Sequence, residues 1–178
     1  MESQEEMIKS RKVLEFLTVA NEYCLLIDRC KDYPRESLLE ILHRILPLVY
    51  LKGSLLPEIT PGDEELLERF VTEEQWEDRL NELREILEGT DQYWDIHHPE
   101  EKEPENHQAS VAEDLADLYQ EMKDFVLLYQ KPLTAAKENA VAACRQYFAD
   151  HWGRKALKAC LIIHQHLHPC SHDHHDHH

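Results

Sequence analysis

Residues 110–130, SVAEDLADLYQEMKDFVLLYQ, constrain the fold of this chain more than any other stretch. Val111, Leu115, Leu118, Met122, Phe125 and Tyr129 recur at intervals of three and four, the period of a helix that buries one stripe. Asp114, Asp117, Glu121 and Asp124 keep the same interval one residue earlier. One residue is about 100° of rotation on a helix, so the acidic row lies beside the apolar row and not opposite it. It is expected where core meets solvent, or along the edge of a groove.

The remaining chain reads as helices of the same kind. Residues 5–30 carry a stripe of Val13, Phe16, Leu17, Ala20, Cys24 and Ile27. Residues 36–51 are apolar almost all round, which predicts a central, buried helix, and Pro47 is expected to kink or break it near Leu46. Residues 52–71 contain Gly53, Pro57, Pro61 and Gly62 and read as irregular, with a short helix over 63–70. Thr72 and Gln75 fit a capping box that opens a helix running to about Glu88, with Trp76, Leu80, Leu83 and Leu87 facing inward. Ser110 and Glu113 fit a second box. A long last helix spans 134–166, with Ala140, Cys144, Tyr147 or Phe148, Trp152, Ala156, Ala159 and Ile163 on its core side and Gly153 as its weak point. Only four glycines occur in 178 residues, and such a composition favours helix. The prediction is an all-α, single-domain, mostly antiparallel bundle of about five or six helices over residues 1–168. A His-rich tail over 169–178 is expected to be disordered without metal.

Four segments carry a family resemblance: LLEILHRILPLVYLKGSLLPEI, DQYWDI, DLADLYQEMKDF and WGRKALKACLIIHQHLH. Across residues 7–168 the chain resembles a bacterial family of helical proteins known only as a domain of unknown function. The resemblance implies a cytoplasmic all-α domain and transfers no reaction.

Charge narrows the partners. With 36 acidic and 19 basic side chains the formal net charge is −17. Such a field repels phosphate backbones and anionic membrane surfaces, so neither nucleic acid nor membrane is an expected partner. The N-terminus is charged and no apolar run approaches the length of a transmembrane helix, so neither a leader peptide nor a membrane span is expected. Cys24, Cys30, Cys144, Cys160 and Cys170 form no CxxC pair and read as free thiols of a reducing cytoplasm.

Three constellations could carry chemistry. Glu82 and Glu85 stand three apart on one helix, and Asp114 and Asp117 stand three apart on another. Paired carboxylates on packed helices resemble the Mg²⁺ site of all-α nucleotide pyrophosphatases, with Asp117 and Glu85 as catalytic candidates. The competing reading is an acidic flank that keeps the bundle soluble and pairs with lysine or arginine of a neighbour. The connector over 90–108 holds Tyr93, Trp94, His97 and His98, which either line a pocket or anchor the loop. In the tail, His168, Cys170, His172, His174 and His175 suit Zn²⁺ or Ni²⁺. No phosphate-binding glycine loop, nucleophile elbow or zinc knuckle occurs.

The leading functional expectation is a non-enzymatic interaction or accessory protein with an unknown protein partner. The alternatives are the Mg²⁺-dependent hydrolase and a metal-binding accessory role for the tail.

Overall fold

The computed structural model describes residues 2–88 and 110–170. Seven α-helices occur among them: α1 (Gln4–Met7), α2 (Arg11–Asp28), α3 (Arg35–Ser54), α4 (Glu73–Ile86), α5 (Ser110–Tyr129), α6 (Thr134–Gln146) and α7 (Gly153–Leu167). No strand occurs among the described residues. The all-α, single-domain architecture read from the sequence is therefore the observed one, with six substantial helices and the single turn α1. The 90–108 connector and the tail beyond Cys170 lie outside the described residues.

Helix α5 is the centre. Its predicted stripe, Val111 to Tyr129, is at most 5% exposed, and it packs against α2, α4, α6 and α7. Cross-helix pairs show the directions. Tyr129 Oη donates to the Ile8 carbonyl and Tyr119 Oη to Asp28, so α2 runs against α5. Asp124 accepts from Val71 while Arg84 reaches Glu113, so α4 does too. Glu121 lies near His151 and Asp117 pairs with Lys155, which sets α7 antiparallel to α5 as well. The core between them is aromatic, with the Phe16 ring 4.9 Å from Phe125 and 5.8 Å from Trp152.

The first helix is shorter than the periodicity predicts. Residues 8–10 interrupt it, and the interruption lets Ile8 turn fully into the core, where its carbonyl meets Tyr129. The capping box at Thr72 forms as read, with Gln75 N–H to Thr72 Oγ1 and Thr72 N–H to Gln75 Oε1, both at 3.2 Å. The short helix expected over 63–70 reduces to one 3-10 turn, Glu64–Leu66.

Helix α3 corrects two expectations. It continues through Pro47 to Ser54. It is also not buried all round: it packs on α2 and α7 and touches α6, and its remaining side is uncovered among the described residues. Leu48, Leu51 and Leu55 are 41%, 53% and 42% exposed there. The central position that its composition predicts is held by α5 instead.

The long last helix is divided by a π-helical turn, Phe148–Trp152. Trp152 N–H bonds to the Tyr147 carbonyl at 3.1 Å, a five-residue step. This turn brings Trp152 fully inside, where its Nε1 donates to the Cys144 carbonyl at 2.7 Å. Gly153 sits where a Cβ would be 2.4 Å from the Phe148 carbonyl oxygen, so the tight turn needs a residue without one.

Candidate functional site

The acidic row of α5 forms a polar seam along the junction of α5 with α4, α7 and the segment before α4. Each member meets a different neighbour. Asp114 is 7% exposed. Burial pushes its carboxyl up to about 6, against the pull of Lys158 and Lys155. Its Oδ2 has no hydrogen-bond partner among the described residues. Asp117 accepts from Trp76 Nε1 at 2.9 Å and pairs with Lys155. Glu121 lies 4.0 Å from Arg69 and 3.9 Å from His151, and burial raises its pKa. Asp124 Oδ1 accepts from the backbone amides of Phe70 and Val71 at 2.8 and 2.9 Å. Burial raises its pKa too, and those two amides oppose the rise.

The expectation of a row at the boundary between core and solvent holds. Its members are less solvated than a flank that merely confers solubility, and three of the four hold a neighbouring segment by a named bond or ion pair. Local periodicity dictates this arrangement: a carboxylate one residue before each core position emerges at the rim of the buried stripe, where the next helix arrives.

The two carboxylate pairs do not come together. Glu82 is 3.1 Å from Arg79 and 3.3 Å from Lys31, on the side of α4 that faces α2. Glu85 follows the inward-facing Trp76 by nine residues, about two and a half turns, which places it on the opposite side of α4, where it is exposed. Asp117 is engaged by Trp76 and Lys155. Among the described residues no group of three or more His, Cys, Asp or Glu side chains is gathered to hold a metal ion. The recess beside Glu121 and Asp124, floored by Phe125 and Cys144, measures about 50 Å³. That is room for a few waters, while ligand pockets run to about 300–1,000 Å³.

A second polar network escaped the sequence reading. Asp28 accepts from Tyr119 Oη at 2.6 Å and from Arg79 at 3.2 Å, and its other oxygen faces Lys123 at 3.2 Å. Burial and this carboxylate together raise the Tyr119 hydroxyl pKa well above its usual value. Only the Arg79–Glu82 spacing of three is legible locally. Asp28 and Tyr119 are 91 residues apart.

Of the tail candidates, His168 caps α7, its N–H bonded to the His164 carbonyl at 2.8 Å. Cys170 is exposed. His172, His174 and His175 lie outside the described residues, as do Tyr93, Trp94, His97 and His98.

A central helix ringed by antiparallel neighbours and stitched to them by a half-buried carboxylate seam defines an all-α bundle. The chain belongs to the DUF5063 family, a domain of unknown function, whose match spans residues 7–169. Its structure is similar to that of protein BF1032 from Bacteroides fragilis, at 32% identity over 93% of this chain and 98% of that one, with a TM-score of 0.81. No curated protein matches the sequence.

Proposed function

We propose that this protein is a non-enzymatic interaction or accessory protein of the bacterial cytoplasm, and that it docks a protein partner on the outer side of α3. The observation that carries this reading is the uncovered stripe Leu48, Leu51 and Leu55, spaced by three and four on a helix whose other sides are packed. Single exposed leucines are common on monomers. A row of three on a helix that also walls a groove is a different feature. Beside the stripe, Leu25, Leu26, Tyr33, Ile41 and Ile45 line a trough of about 250 Å³ between α2 and α3, with Glu22 and Arg29 at its rim. An amphipathic helix laid in such a trough would bury its own apolar face there.

Net charge directs the choice of partner. A second copy would bring another −17 to the contact, whereas a partner with basic flanks gains from the field. Placement in the cytoplasm is supported by the five cysteines, none of which is paired. The seam acids favour this reading over the hydrolase, because three of the four are engaged by neighbouring groups and the recess beside Glu121 and Asp124 is small.

The test compares the wild-type chain with Leu48→Asp/Leu51→Asp as baits. The expected result is a captured protein that, once purified, binds the wild type in a titration and loses at least about tenfold in affinity for the variant, in line with the loss of one or two apolar anchors. Equal binding by both, or a concentration-dependent homodimer abolished by the variant, overturns the proposal.

A further inference from the structure

The stripe on α3 has a counterpart on α2. Leu14 and Leu25 are 46% and 42% exposed. Eleven residues make three helical turns with about 20° to spare, so both stand on one side of α2. On α3, Ile41, Ile45, Leu48 and, at the C-cap, Leu55 share a side at steps of four, three and seven. Lys52 meets Glu15 at 2.7 Å, and Leu25 and Leu26 line one trough with Ile41 and Ile45, so the two helices run antiparallel. Leu14 and Leu48 continue the same two faces.

Charge marks the rim. Glu22 and Arg29 stand at the trough seven residues apart, about 10 Å along the axis of α2. Both are exposed, and neither side chain has a hydrogen-bond or ion-pair partner among the described residues. The charges around them are paired: Glu15 with Lys52 and Arg11, Glu40 with Arg44, Glu36 with Arg35.

We propose that the α2–α3 groove takes an amphipathic helix of a partner protein and reads two of its charges, a lysine or arginine against Glu22 and an aspartate or glutamate against Arg29. The proposal rests on the docking reading above and extends it to α2 and to the partner's sequence. A helix laid between two antiparallel helices packs at a shallow angle to both. Residues seven apart on it therefore span the distance from Glu22 to Arg29. Flanking charges of this kind set partner choice and orientation in packed helices. Here they fix direction: a helix with its cation first lies parallel to α2, and one with its carboxylate first lies antiparallel. The opposite placement sets like against like at both ends. A net charge of −17 favours cations over the whole surface, so a demand for one carboxylate is the mark of Arg29.

The experiment pans the full-length chain with a displayed library of amphipathic helices. Each carries a fixed leucine stripe and Lys, Glu or Ala at two groove-facing positions seven apart. The targets are the wild type, Arg29→Glu, Arg29→Ala and Leu48→Asp/Leu51→Asp, each variant matched to the wild type by circular dichroism. On the wild type the Lys/Glu pair is expected to be enriched about tenfold over Lys/Lys. The order is expected to reverse on both Arg29 variants, where the net field decides. The leucine variant is expected to lose both kinds of binder. Lys/Lys matching or beating Lys/Glu on the wild type overturns the inference, and leaves the docking reading standing where the leucine variant still loses the binders. Enrichment unchanged by the leucine substitutions overturns both. No enrichment on the wild type overturns the inference, with the bait comparison still deciding the docking reading. A wild-type dimer in sedimentation that Arg29→Glu dissolves gives the groove to a second copy and overturns the proposal too.

Discussion

Gly53 and Trp152 share one space between α3 and the π turn: a Cβ on Gly53 would stand 2.1 Å from Cη2 and 2.9 Å from Cζ2 of the indole. Trp152 is fully buried and held by its bond to the Cys144 carbonyl. The ring cannot withdraw without losing that bond and its stacking on Phe16. The glycine in α3 and the interruption before α7 are thus two halves of one contact.

Gly53→Ala is therefore expected to destabilise the protein by about 1–3 kcal/mol, the usual range for overpacking a core. Alanine is the better helix former by about 1 kcal/mol, so propensity alone predicts the opposite sign. The urea midpoint decides between them. A rise would contradict the close fit of Trp152 against α3.

Asp114 makes stability depend on pH in an unusual direction. An unfolded aspartate titrates near 3.9, and in the folded chain this one titrates at about 6. Between those values the folded state keeps a proton that the unfolded state has released. Its contribution is therefore most favourable on the acid side and is lost as pH rises through about 6. At pH 7 the ionised carboxylate is a net burden, on the order of 1–3 kcal/mol at 1.36 kcal/mol per pK unit. Asp114→Asn is expected to stabilise the protein at pH 7, with a gain that shrinks toward pH 4. Denaturant unfolding of both proteins across this range measures the difference curve, and a gain that does not vary with pH would contradict the assignment.

The five thiols sort by burial. Cys24, Cys30 and Cys144 are buried, and burial raises each pKa, to about 11 for Cys30 with Glu82 adding to the effect. Cys160 is half-buried and its thiol is also raised, whereas Cys170 is exposed. An aromatic disulfide reagent at pH 8 is expected to titrate Cys170 rapidly, Cys160 slowly, and the other three only on unfolding. Rapid reaction of three or more thiols in the native protein would contradict the core described above.

The helix α5, the Thr72 capping box and the acidic row were legible because each rests on residues within one or two turns. The apolar positions of the last helix were legible too. Ala140, Cys144, Trp152, Ala156, Ala159 and Ile163 are all buried, and of the pair Tyr147 and Phe148 it is Phe148 that packs inward. The π turn between them was not legible: Trp152, which it carries inward, packs against Gly53 on another helix, and local spacing holds no record of that contact. Composition misplaced α3 for a related reason. Apolar residues on every side state that a helix can be buried, not that enough neighbours exist to bury it.

The seam shows the same division within a single row. The sequence by itself determined that Asp114, Asp117, Glu121 and Asp124 emerge at the rim of a buried stripe, since helical period alone sets that angle. Only the tertiary structure decided that Asp117 meets Trp76 and Lys155, that Asp124 meets the amides before α4, and that Glu85 faces away. Partner choice depends on the order and direction in which helices pack, and those follow from contacts between residues many tens of positions apart. Local spacing carries no record of them.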